Sequence, residues 1–154
     1  MNSNAEKFWY NWLKVAAAIV ILFGVLMTLL TYTNGIKFMD TQIAKVFQLS
    51  PEFMVDIASL QNWMVGVIGA TTAGWGITLM YLILIPLKRK EKWAWNAIMI
   101  SLIVLFTLDT YISTYYGAKF NVILNIAFLM QFVAPLLFIQ STIQNTPEHV
   151  TKKN

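Results

Sequence analysis

Four long apolar blocks alternate with short polar ones along this chain. They run from about Val15 to Tyr32, Trp63 to Leu87, Trp93 to Tyr116 and Val122 to Gln140. Each is close to the roughly 20 helical residues that cross a hydrocarbon core about 30 Å thick. The apolar positions come as continuous blocks, not as the period-two alternation of a half-buried strand or the stripe of a soluble helix. The pattern predicts an all-α membrane protein: a four-transmembrane-helix up-down bundle forming one domain over residues 1–141, with a polar cytoplasmic tail at 142–154. Only Gly117, Ala118, Lys119, Phe120 and Asn121 join the last two blocks, so these must form an antiparallel hairpin.

The one long connection covers residues 36–62. Gly35 before it suits a left-handed helix cap. Ile43, Val46 and Phe47 share one face at helical spacing, with charges between them, and Phe53 follows. This predicts a short amphipathic helix in the first, external loop, lying on the membrane or over the bundle; the alternative is an ordinary loop with one helical turn. Ser50-Pro51-Glu52 reads as a helix start, with a capping serine, a proline at the first helical position and an acid in the first turn.

Composition supports the class. Of 154 residues 58% are hydrophobic and 12% charged, with mean hydropathy +0.61, and a soluble domain of this size has too little interior to hide that much apolar surface. The net charge of +4 does not point to nucleic acid, because the basic residues cluster where a membrane protein needs them. Lys88, Arg89, Lys90 and Lys92 lie between the second and third blocks, as a topology signal facing anionic lipid. Together with Lys7, Lys14, Lys152 and Lys153 they fall on one side, against Lys37, Lys45 and Lys119 on the other. The positive-inside rule then puts both termini in the cytoplasm. Trp9, Tyr10, Trp12, Trp93 and Trp95 make an inner aromatic belt, and Tyr32, Trp63, Tyr115 and Tyr116 an outer one. The first block resembles a signal peptide in its basic front, but its length and the following TLLTYTNG, which has no small-residue cleavage site, predict an uncleaved helix. The absence of cysteine excludes disulfides and thiolate chemistry, and the one histidine, His149, lies in the tail. No cofactor is expected. Membrane lipids are the expected partners, and a homo-oligomer is left open.

For packing, the second block offers Gly66, Ala70 and Gly74 at four-residue spacing, with Gly69 and Ala73 on an adjacent strip. Small residues let helix backbones approach closely in a membrane, so this helix is expected to be the central one. Trp75, between Gly74 and Gly76, either lines a ligand cavity or fills space against a neighbour. Pro135 removes one backbone hydrogen bond from the fourth helix, and Gln131 and Gln140 need partners. TYTNGIKF and STYYGAKF, at the ends of the first and third blocks, are a faint internal echo of the kind a duplicated hairpin leaves.

Asp109 is the acid inside an apolar block. It lies about 10 Å in from Tyr116 at 1.5 Å per residue, where an ionised aspartate facing lipid costs on the order of 2–3 kcal/mol or more. It should therefore face other helices, be protonated, or both; Ser113 lies on its own face. The same depth falls near Asn125, one turn from Asn121, in the fourth helix, near Thr28 in the first, and near Gly66 and Gly69 in the second. Asp109 with Asn125 is the expected pair. Three readings follow: an interhelical hydrogen-bond clasp, an outer-half pocket lidded by residues 40–56 that binds or moves a small amphipathic molecule or lipid, or catalysis. A lone carboxylate without histidine, second acid or metal is a poor catalytic constellation.

Residues 92–125, KWAWNAIMISLIVLFTLDTYISTYYGAKFNVILN, resemble a group of small, uncharacterised bacterial four-span membrane proteins. The shared features are the tryptophan pair after a basic loop, the Asp-Thr late in the third block and the short turn ending in Phe-Asn. The resemblance implies the four-span fold and a bacterial inner membrane, and no activity.

Overall fold

A computed structural model of the chain describes residues 3–33 and 37–144. Gly35, His149 and the last lysines lie outside them. The elements are α1 (Ser3–Leu30), α2 (Lys37–Phe47), α3 (Pro51–Leu82), continued by a π-helical turn (Ile83–Leu87), α4 (Lys92–Tyr115) and α5 (Lys119–Gln144). Four of these helices are long and apolar enough to cross a membrane. Their outward faces are as apolar as their interior: Ile100, Ile103, Val104, Leu108 and Ile112 of α4 are all exposed. Such a surface is unfavourable in water and suits lipid.

Local chemistry sets the boundaries. Ser50 is the N-cap of α3, its Oγ accepting from the Phe53 amide at 3.2 Å, with Pro51 at the first helical position. α3 therefore starts twelve residues before Trp63, and the apolar helix Pro51–Leu87 is 37 residues long. At 1.5 Å per residue that is about 55 Å, so one end overhangs a hydrocarbon core of about 30 Å. α4 ends in a turn with Gly117 at φ 72°, where the Ala118 amide reaches Ser113 O at 2.7 Å and the Gly117 amide reaches Thr114 O at 3.1 Å. This double bond pattern needs a left-handed residue, which glycine provides without strain. α5 runs to Gln144 and buries Thr142 and Ile143, so the first residues assigned to the polar tail are helix.

The main core lies toward the end that carries the 88–92 loop. Leu13, Ala16, Ala17 and Val20 of α1 meet Leu79, Ile83 and Leu87, Ala94, Ile98 and Leu102 of α4, and Phe132, Leu136 and Ile139 of α5. α1, not α3, is the central helix, since it packs against both α3 and α5. Small Ala16 and Ala17 are buried in it, and Gly24, seven residues beyond Ala17, continues the face of Ala17. A Cβ on Gly24 would come within 2.4 Å of Ala73 N and 2.5 Å of Gly69 O. The α1–α3 seam therefore sets Gly24 against Gly69 and Ala73, and Gly76 against Val20 and Ile21. Ala70 and Gly74, expected in the seam, are exposed, and nothing lies within 4 Å of a Cβ built on Gly74.

Aromatic side chains close the interhelical bonds at this end. Pro135 has no N–H to give to the carbonyl four residues back, and that carbonyl, Gln131 O, instead accepts from Trp12 Nε1 at 3.1 Å. Trp95 Nε1 donates to Leu136 O at 2.8 Å and Tyr10 Oη to Leu87 O at 2.6 Å. Lys90 Nζ pairs with Glu6 at 3.0 Å, joining the start of α1 to the loop before α4.

Candidate functional site

The inward line of α4 runs Ala94, Ile98, Leu102 and Phe106, all buried, and then turns polar at Asp109 and Ser113. That of α5 runs Ile143, Ile139, Leu136 and Phe132 and turns polar at Asn125 and Asn121. Both changes fall at the α2 end, as the sequence pattern predicts for α4. Asn121 Nδ2 lies 2.8 Å from both Asp109 Oδ1 and Ser113 Oγ, donating to them. Ser113 Oγ also lies within reach of Asp109 Oδ1, at 3.2 Å. Asp109 Oδ1 thus gathers two donors, while Oδ2 has no hydrogen-bond partner among the described residues. Ser113 and Asn125 are buried and Asp109 is half-buried.

The expected Asp109–Asn125 pair is not formed. Asn125 Nδ2 donates to Thr110 Oγ1 at 3.3 Å, and Asn121 takes the aspartate. The reason is azimuth. Asp109 and Ser113 stand one turn apart on one ridge of α4, so an amide seated between them bonds both, whereas Thr110 lies about 100° further round the helix.

The remaining candidates lie elsewhere. Thr28 Oγ1 bonds Gly24 O at 3.0 Å and Gly66 O at 3.1 Å, and so belongs to the α1–α3 seam with Gly66 and Gly69. Trp75 packs against the main core, which is the space-filling role. Ala70 and Gly74 are exposed.

Two features that the sequence reading did not single out complete the region. Gln61, buried in α3, donates from Nε2 to Asp40 Oδ1 of α2 at 2.6 Å, and Met39 packs on Met27 and Val65. Desolvation pushes the Asp40 carboxyl above its ordinary value. At the other end of α2, the Phe47 ring stands 5.6 Å from that of Tyr116, at the end of α4. α2 therefore spans from α1 and α3 across to α4. Along its whole length α4 leans mainly on α5 and touches α3 little. Chemically, Asp109 is held by a hydroxyl and an amide, donors that fix a carboxyl group in place. Comparison with protein-family models, curated proteins and solved structures gives no match for this chain.

Proposed function

We propose that this is a multi-pass protein of a bacterial inner membrane, an up-down bundle with both termini and the 88–92 loop in the cytoplasm. On this reading it holds an amphipathic molecule in the outer half of the membrane, with the polar head at Asp109. The observation that carries it is the division of labour at one carboxylate. Oδ1 clasps the α4–α5 hairpin through Asn121 and Ser113, while Oδ2 stays uncommitted on an inward-facing line. Oδ2 is not enclosed by the protein itself, and in a membrane an acceptor without a donor is unfavourable, so a head group that donates hydrogen bonds, or carries positive charge, is the matching chemistry. α2 then acts as an amphipathic cover, tied to α3 through Asp40 and to α4 through Phe47. α3 and α4 make little contact with one another, and on this reading the molecule enters between them from the outer leaflet.

A second reading is favoured by the same three hydrogen bonds: Asp109 is only a clasp in a structural or assembly subunit, worth about 0.6–2 kcal/mol. Native mass spectrometry of the protein released from membrane-derived nanodiscs separates the two, with Asp109→Asn as the comparison. Asparagine keeps an Oδ1 acceptor and the shape, but not the charge. Ligand binding predicts a defined molecule on the wild type that is lost from a normally folded Asp109→Asn. A bare wild type, or a molecule retained by the variant, would leave the clasp alone.

A further inference from the structure

At the opposite end of the molecule a groove of about 360 Å³ is lined by Thr78, Tyr81, Leu82, Ile85, Pro86, Arg89, Glu91 and Trp93. Its origin is local. Pro86 cannot donate a backbone hydrogen bond, and the helix widens into the π turn around it. The chain then reverses through Lys90 at φ 61°, with the Glu91 amide returning to Pro86 O at 3.0 Å, which brings Trp93 back against the same face. Trp93 is fixed there by its indole Nε1, which donates to Glu91 Oε2 at 2.5 Å, so this carboxylate is engaged at the rim.

Two properties define what fits. The first is charge. Arg89 is exposed at the mouth and has no ion-pair partner among the described residues, whereas neighbouring Lys90 is held by Glu6. A free guanidinium presents a planar fork of donors that matches a phosphate diester. The second is length. Thr78 and Leu82 lie on one stripe of α3, Ile85 in the π turn and Arg89 in the turn that follows, and from Thr78 to Arg89 the rise is at most about 16 Å at 1.5 Å per residue. That is close to half of a hydrocarbon core of about 30 Å. The charge sits at one end and an apolar wall of Leu82, Ile85, Pro86 and Trp93 runs down from it. A free phosphate ion would use only the mouth of this groove.

We infer that this groove is a binding site for one anionic glycerophospholipid of the leaflet on the 88–92 side. Its phosphate meets Arg89, and one acyl chain lies along Ile85 and Leu82 toward Thr78. The site is separate from Asp109 and does not depend on the reading given there.

The test is a lipid titration of the full-length, delipidated protein followed by native mass spectrometry. Phosphatidylglycerol is compared with phosphatidylcholine of the same chains, and with glycerol phosphate as a chainless competitor. The wild type should prefer phosphatidylglycerol, and Arg89→Gln should reduce that preference by about fivefold, the worth of one basic side chain at an anionic surface. Lys92→Gln, an equal loss of charge outside the groove, should change it far less. Ile85→Trp, which fills the groove without altering charge, should weaken both lipids, and glycerol phosphate should not compete. Equal losses in Arg89→Gln and Lys92→Gln would overturn the site in favour of diffuse surface attraction. Competition by glycerol phosphate would show an anion mouth without a lipid groove, and full binding by Ile85→Trp would also refute the proposal.

Discussion

Trp12 and Pro135 sit on different helices, yet the structure couples them through a backbone atom belonging to neither. Pro135 leaves Gln131 O without its helical donor, and Trp12 Nε1 supplies one at 3.1 Å. Trp12→Phe keeps an aromatic ring beside Phe8 and removes only the donor. In lipid no water replaces it, so the cost should approach that of an unsatisfied carbonyl, about 1–3 kcal/mol, tempered by the roughly 0.6–1.7 kcal/mol typical of interhelical bonds. A loss of about 1–2 kcal/mol is expected. Pro135→Ala returns an N–H to the same carbonyl while leaving a small cavity, because the ring is fully buried. In that background the further cost of Trp12→Phe should fall to a few tenths of a kcal/mol, a coupling of about 1 kcal/mol. Reversible unfolding in mixed detergent micelles, followed by tryptophan-independent circular dichroism, measures all four proteins. Additive losses would mean that Trp12 stabilises α1 by packing alone, and that Gln131 O finds its donor elsewhere.

Three further expectations follow from the same contacts. Asp109→Leu removes one of the two acceptors of the Asn121 amide, leaving Ser113 Oγ, and should cost about 0.5–1.5 kcal/mol in the same unfolding assay; a double-mutant cycle should couple Asp109 with Asn121→Ala and leave Asn125→Ala additive. Gly24→Ala drives a methyl into the α3 backbone and should destabilise by about 1–3 kcal/mol, whereas Gly74→Ala meets open space and should be neutral or stabilising by up to about 1 kcal/mol. Asp40, with its folded-state pKa raised by desolvation, favours docking of α2 when protonated. That contribution is complete below the ordinary carboxylate value of about 3.9 and is lost as pH rises through the folded value. After correction for intrinsic rates, hydrogen exchange of residues 37–47 should therefore be slower near the ordinary carboxylate value than at neutral pH, a difference that Asp40→Asn abolishes.

Much of the architecture was legible because it is local. Ser50-Pro51 and the Gly117 turn each act within a few residues and appear where the pattern puts them, while the first two helices start about twelve residues before their apolar blocks, at Ser3 and Pro51. The polar ends of the α4 and α5 lines were legible too, since depth along a helix follows from counting at a fixed rise. Azimuth does not follow from counting. Asn121 and Asn125 share a face of α5, and a rotation of one residue on α4 decides which of them receives Asp109. The small-residue strips of α3 posed the same problem: Gly66-Ala70-Gly74 and Gly69-Ala73 are both credible until a partner chooses between them. Gly24 makes that choice from α1, a helix whose own buried Ala16 and Ala17 were the neglected sign of a central position. The π turn was hidden as well, because a proline near the end of an apolar block reads equally as a kink or a stop.

Both proposed sites presuppose that the four helices cross the membrane with α2 outside and the 88–92 loop inside. The chain has no cysteine, so a single introduced one reports without background. Glu52→Cys and Lys92→Cys place thiols at exposed positions at opposite ends of the molecule. In intact cells a membrane-impermeant maleimide should label Glu52→Cys at once and reach Lys92→Cys only after lysis. Labelling of Lys92→Cys in intact cells would invert the protein, or take its helices out of the membrane, and would contradict the topology on which both sites depend.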